Sequence, residues 1–291
     1  MSDSTDCSAL LHLYCNEITI DSICSDTEIS ENHSPYSSDF LIDDDSHIDS
    51  IFNSEQDQMI EPKLETHILE IPGTDIARQD AVTWMLKVHA YYQFRPETAY
   101  LSVNYLDRFL LSQTLPQEKG WILQLLAVAC LSLATKMEER RVPLLLDLQI
   151  LEPKFLFTPS TIQRMELLIM NSLNWRLHII TPFNFLHYFI AKLPYLVPDC
   201  YTFDYVFTRS SHLIISISSV TNFLEYAPSA VAVAVVTWVT NRAIDDPNFW
   251  CFDNRVNKEM VKRCYNVIKR SKSQLAQREV IDAIVRGKCQ A

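Results

Sequence analysis

The sequence predicts an all-helical protein built as two tandem bundles, and three observations carry that expectation. Apolar residues recur at helical spacing in segments that open near prolines. No Asn-Gly or Asp-Gly dipeptide occurs that could close a two-residue β-hairpin. An alanine-rich apolar segment beginning at Ala127 returns 103 residues later at Ala230, a weak internal repeat that doubles the architecture.

The elements follow in chain order. Residues 1–60 contain fourteen Asp or Glu and no Lys or Arg, and the stretch to residue 72 is rich in Ser, Asp, Glu and Asn. Its few apolar residues would not repay the entropy of ordering it, so residues 1–72 are expected to be a disordered acidic arm. From about Asp75 the texture becomes long and apolar-periodic, punctuated by Pro96, Pro116, Pro159, Pro182, Pro198 and Pro228. Proline suits a first helical turn, where its missing amide has no partner, and it stops the preceding helix. The helix from Pro96 carries Tyr100, Val103, Leu106 and Leu110 on one face. Thr158 can cap the next worked case, with Pro159 in its first turn and Ile162, Met165, Ile169 and Leu173 following. Thr181-Pro182 opens another helix through Phe185, Phe189 and Ile190.

The two alanine-rich segments, Ala127 to Leu131 and Ala230 to Ala234, lack a polar face and must be central, and small side chains let neighbours approach closely. Each reads as the hub of a five-helix bundle. The expected boundaries are 73–178 for the first bundle and 179–270 for the second, with a last helix near 274–286 in a tail over 271–291.

Composition removes several kinds of chemistry. Only Gly73, Gly120 and Gly287 occur in 291 residues, so no glycine-rich phosphate loop and no G-x-S-x-G elbow can be built. The eight cysteines include no C-x-x-C pair and no H-E-x-x-H occurs, so neither a metal nor another cofactor is expected. Scattered cysteines, no secretory signal and no apolar run near eighteen residues point to free thiols in a cytosolic or nuclear protein. The net charge of −11 belongs to the arm: beyond residue 60 there are 22 acids against 25 bases. A concentrated basic face for nucleic acid is therefore not expected.

Residues 77–175 resemble a cyclin box. The resemblance rests on the run from Ala77 to Val88 (ARQDAVTWMLKV), on Tyr105 to Leu110 (YLDRFL), on Leu123 to Ala127 (LQLLA), on Leu133 to Glu139 (LATKMEE) and on Arg164 to Leu167 (RMEL). It implies two tandem cyclin-box domains, kinase binding and no catalysis by the chain itself. Carried over position by position, it makes Arg78 and Asp107 a structural pair between the first two helices and Leu125 a buried hub residue. It makes Lys136 and Glu166 the charges that hold the kinase. It also implies a docking groove at Ala77, Ala81, Trp84 and Gln124, where many cyclins have a methionine and a leucine in place of Ala77 and Ala81, so the groove here should be shallower. Kinase-inhibitor proteins are a further class of partner.

In the arm, Leu13-Tyr14-Cys15-Asn16-Glu17 fits L-x-C-x-E, the motif by which D-type cyclins bind retinoblastoma-family pocket proteins. In an extended strand Leu13, Cys15 and Glu17 face one way, so two apolar side chains can enter pockets while the carboxylate accepts amide hydrogen bonds. The resemblance is thus to plant D-type cyclins, and it implies a kinase directed to a retinoblastoma-related protein at the G1/S transition, in the nucleus, with cytoplasm as the other compartment. Ser34-Pro35 fits a proline-directed phosphosite, although a Ser-Pro in a polar arm is more often a turn. Two other classes fit the composition less well. A transcription-linked tandem-cyclin factor would carry a basic fold and often a zinc ribbon, and an enzyme with a helical core would need convergent polar residues that the glycine and cysteine counts make scarce.

Overall fold

The structure is a computed structural model that describes residues 45–59, 74–113, 120–151, 155–193, 203–219, 224–242 and 253–271. Among the described residues it contains helices and no strand. The helices are α1 (Asp45–Gln58), α2 (Thr74–Tyr92), α3 (Pro96–Ser112), α4 (Gly120–Glu138), α5 (Pro159–Ser172), α6 (Phe183–Ala191), α7 (Phe203–Ser218) and α8 (Pro228–Val239). A ninth, α9, is described over residues 258–271.

Two apolar cores correspond to the two expected bundles. In the first, α2, α3 and α5 pack around α4, whose Ala127 to Leu131 are fully buried. In the second, α6 and α7 pack on α8, whose Ala230, Ala232 and Ala234 are fully buried. One feature of α4 escapes a search for continuous apolar runs: Trp121–Glu138 is long and apolar enough to cross a membrane by length and composition. Its polar residues are few because it is the hub, with 67% of that window buried inside the protein. The first bundle also departs from five full helices. Among the described residues between α4 and α5 the one helical turn is a 3-10 turn at Asp147–Gln149, following Pro143, with Leu148 buried as its anchor.

The helix starts obey local chemistry. Pro96, Pro159 and Pro228 occupy first turns, and the Thr158 hydroxyl accepts the Thr161 amide. At α6 the cap runs the other way: Asn184 Oδ1 accepts from the Thr181 amide at 2.8 Å and from its hydroxyl at 2.9 Å. With glycine so rare, helix ends use other residues in the left-handed region. Gln93, Asn174 and Asn241 have φ of 53°, 50° and 50°. The next amide in each case reaches back to close the turn: Phe94 to the carbonyl of His89, Trp175 to that of Met170, and Arg242 to that of Thr237.

The largest departure from the expected organisation is α1. The sequence places residues 45–58 in a disordered arm, whereas they form a helix docked on the second bundle. Ile48 and Phe52 are buried on one face, and Phe52 packs at 4.9 Å from Phe185 and 6.3 Å from Tyr188. The guanidinium of Arg255 sits 4.1 Å above the Phe52 ring and pairs with Asp49. The acidic composition hides this helix because only one narrow stripe of it is apolar, and the surface that covers the stripe lies more than 100 residues away. Residues 1–44, the remainder of the arm and the tail from 272 lie outside the described residues.

Helix α1 also ties the bundles together through polar contacts. Gln58 Oε1 accepts the Ile180 amide at 2.8 Å, and the Gln58 carbonyl accepts from Arg108 at 3.2 Å. At α8 the N-cap residue is Ala227, which has no side-chain acceptor, and Glu55 supplies one from α1. The Ser229 amide donates to Glu55 Oε1 at 2.6 Å and the Ser229 hydroxyl to Oε2 at 2.8 Å. Burial raises the pKa of this carboxyl above 4.5, with the Ser229 bonds opposing. The folded chain therefore holds the Glu55 proton more tightly than the unfolded chain does. That contribution to stability is complete below pH 4.5 and is lost as pH rises through the folded value. Urea unfolding of Glu55→Gln across this range should show the wild type losing stability relative to the variant as pH rises from 4.5; a pH-independent difference would mean that this carboxyl is not buried against α8.

Candidate partner-binding site

The site is framed by a buried ion pair. Arg78 on α2 donates from Nε to Asp107 Oδ1 at 2.6 Å and from Nη2 to Oδ2 at 2.7 Å, a fork matched to a carboxylate. Both residues are buried, and Nη2 also donates to the carbonyl of Ser218 at the end of α7, at 3.3 Å. The pair named from the sequence is therefore brought together, and it reaches one element further than expected, into the second bundle. Leu125 is fully buried in the first core.

Lys136 and Glu166 meet as well. Lys136, in the last turn of α4, places Nζ 2.6 Å from each carboxylate oxygen of Glu166, in the middle of α5. The lysine side chain is 41% exposed and the glutamate side chain 7%. What faces outward is thus the lysine, oriented by a carboxylate beneath it. Next to them, Glu139 accepts the amide of Arg95 at 2.8 Å and the hydroxyl of Thr98 at 2.5 Å, which fixes the end of α4 against the start of α3.

Next to this charge pair in the chain lies an exposed apolar surface. Twelve large apolar side chains stand exposed among the described residues, and eight of them lie between Met137 and Leu167. Leu144 is 72% exposed and Leu156 74%. The segment is held by two anchors, buried Leu148 and Gln149, whose amide donates to the carbonyl of Phe157 at 3.0 Å and accepts its amide at 2.8 Å. With those two turned inward, Leu144, Leu146 and Ile150 face water. Composition alone assigns such leucines to a core, and only the tether at Gln149 reveals the opposite. Clustered exposed apolar side chains mark an interaction surface.

The expected docking groove is partly engaged internally. Ala81 is buried and Ala77 half-buried. The Trp84 indole N–H donates to the carbonyl of Leu151 at 2.8 Å, and the Gln124 amide donates to that of Phe155 at 2.9 Å. Both side chains thereby hold the segment between α4 and α5. Leu13, Cys15, Glu17 and Ser34 lie outside the described residues. Among the described residues no three His, Cys, Asp or Glu side chains gather as a metal site, and Cys130 and Cys264 are free and buried.

Paired helical bundles with a rigid core, one outward charge and an apolar surface define a binding module of the tandem cyclin fold. Residues 48–178 match the family model described as Cyclin, N-terminal domain. The chain is 39% identical to Cyclin-D4-1 of Arabidopsis thaliana over 239 residues, covering 76% of this chain and 77% of that one. It is 45% identical to Cyclin-D1-1 of Arabidopsis thaliana over 202 residues, 66% of this chain and 58% of that one. With Cyclin-D2-2 of Oryza sativa subsp. japonica the identity is 44%, over 69% of this chain and 56% of the relative. The chain belongs to the D-type cyclin family represented by these plant proteins. It spans between about half and three fifths of the length of several of them. Among solved structures, a viral cyclin from Herpesvirus saimiri superposes with a TM-score of 0.62 at 19% identity, covering 78% of this chain and 96% of that one. A chain in the CAK complex of Chaetomium thermophilum bound to ATP-gamma-S gives 0.53 at 15% identity, covering 77% and 74%. The family match begins at residue 48, inside α1, so it includes the helix that the sequence reading left in the arm.

Proposed function

We propose that the chain is the regulatory subunit that binds and activates a cyclin-dependent serine/threonine kinase, directs it to a retinoblastoma-related protein, promotes the G1/S transition and works in the nucleus. The observation that carries this reading is the Lys136–Glu166 pair beside the exposed apolar segment from Met137 to Leu167. Apolar side chains already held outward lose little entropy on docking, so a mobile kinase helix can pack against them and be fixed in its active position. Lys136 adds a charge that selects the register of that helix. The chain contributes binding energy and shape, and the kinase contributes the chemistry. Family membership supports the same reading, as does Leu13-Tyr14-Cys15-Asn16-Glu17 for the pocket protein.

One experiment tests both arms of the proposal: phosphorylation of histone and of a retinoblastoma-related protein by a plant cyclin-dependent kinase, with and without the chain. Added chain is expected to raise both activities. The double variant Lys136→Glu with Glu166→Lys keeps an internal pair but inverts the outward charge, so it should melt as the wild type does while kinase pull-down falls at least tenfold. Leu13→Ala or Glu17→Ala should abolish pocket-protein binding and spare kinase binding. Undiminished pull-down by the folded double variant would reject the kinase interface.

A further inference from the structure

A cleft at the end of α1 carries a second site. Its volume is about 280 Å³, and it lies between the C-terminal end of α1, at Gln58 and Met59, and the turn that follows α5. Two arginines and a histidine line it: Arg108 from α3, and Arg176 and His178 from the segment that leads into the second bundle. We propose that this cleft binds a phosphoserine or phosphothreonine side chain presented by another protein.

The electrostatics of Arg108 carry the proposal. The buried cation described above, Arg78, has Asp107 as its carboxylate, and even exposed Arg255 has Asp253. Arg108 has none among the described residues. Its Nη2 reaches the carbonyl of Gln58, and its Nε is buried with no hydrogen-bond partner. Burial lowers its pKa, and neighbouring Arg176 pushes the same way. Two like charges held together at a partly desolvated place are unfavourable unless an anion joins them. Arg176 and His178 are exposed and likewise make no ion pair among the described residues, so their donors are available from solvent.

The turn itself is strained in the same place. Asn174, which also lines the cleft, and Trp175 both adopt left-handed conformations, at φ of 50° and 60°. For a side chain as large as tryptophan that conformation is unfavourable. Trp175 nevertheless stays 63% exposed, although its amide is bonded to Met170 at 2.8 Å. Strain kept at an exposed aromatic residue next to Arg176 in the chain matches the composition of binding hot spots.

Size and charge select the ligand. A volume of about 280 Å³ suits a single side chain better than a helix. A phosphomonoester carries about −1.5 to −2 charge, enough to offset both guanidinium groups, and its oxygens suit the fork of arginine donors. Among the described residues no carboxylate fills the role: Asp57 lines the cleft yet makes no ion pair with Arg108 or Arg176. The occupant assigned here is a phosphorylated side chain of another protein.

The test is fluorescence anisotropy with the full chain and a labelled Gly-Ser peptide bearing one phosphoserine, against its unphosphorylated twin. The phosphopeptide should bind at least tenfold tighter, and the difference should shrink as salt is raised. Arg176 is exposed, so Arg176→Glu should melt as the wild type does and lose at least tenfold in phosphopeptide affinity; His178→Ala should lose less. Equal binding of the two peptides, or undiminished binding by folded Arg176→Glu, would overturn the assignment. A synthetic peptide of residues 27–41 phosphorylated at Ser34 serves as the competing source. If it binds tenfold tighter than the Gly-Ser phosphopeptide, the site belongs to the chain's own arm and the proposal of a separate protein fails. Kinase activation is not read in this assay, so its outcome is independent of the kinase interface.

Discussion

Arg78→Ala is expected to lower the free energy of unfolding by about 3–5 kcal/mol, the cost of leaving a buried charge without its partner. Asp107 is 3% exposed, and in the wild type both of its oxygens accept from one guanidinium. Removal of that guanidinium would strand the carboxylate and also free the carbonyl of Ser218, so the loss should spread to the end of α7. Domains of this size are held by about 5–15 kcal/mol, so such a change removes a large share of the total. The companion variant separates charge from packing. Arg78→Met with Asp107→Leu removes both charges and should recover most of the loss, because a matched apolar pair is often as stable as the ion pair it replaces. Denaturant unfolding measures both, and a loss under about 1 kcal/mol for Arg78→Ala would mean that Asp107 is solvated in the native state.

Phe52→Ala should cost a similar amount, about 3–5 kcal/mol, as for truncation of other buried aromatic side chains. Its ring is 5% exposed and lies against Phe185, Tyr188 and Phe189, with Arg255 stacked above. The effect should appear first as release of α1, seen as new protease cleavage within residues 45–58. Loss of Glu55 from the start of α8 then follows from the same release. Ser50→Ala, an exposed site on the same helix, should stay within about 0.5 kcal/mol and serves as the control. Unchanged protease resistance in Phe52→Ala would show that α1 is held by its polar contacts alone.

Much of the architecture was legible because it is local. Thr158 with Pro159, or Ala230 to Ala234, states its structure within a few residues, and the Arg78–Asp107 pair could be taken from the family resemblance. Four features were not legible, each for a physical reason. Helix α1 needs Phe185 and Tyr188 to cover Phe52, and nothing within the acidic stretch announces that surface. The fourth helix of the first bundle is only a 3-10 turn, and the leucines around it read as core until Leu148 and Gln149 show which way the segment is anchored. The mutual pairing of Lys136 and Glu166 joins residues 30 apart in sequence and makes one of them a support for the other. At the cleft, Arg108 sits beside Asp107 in the sequence, yet its lack of a carboxylate is visible only in three dimensions.

The left-handed helix ends at Gln93, Asn174 and Asn241 bear on the denatured chain as much as on the native one. A glycine at each would ease the native turn, but every glycine also widens the range of shapes open to the disordered polymer, by about 0.4–1 kcal/mol in entropy relative to alanine. With 3 glycines in 291 residues, this polypeptide begins its collapse from an unusually narrow ensemble. The small conformational penalty at three turns is set against a restriction that acts along the whole backbone, so part of the protein's stability resides in what its unfolded form is unable to do.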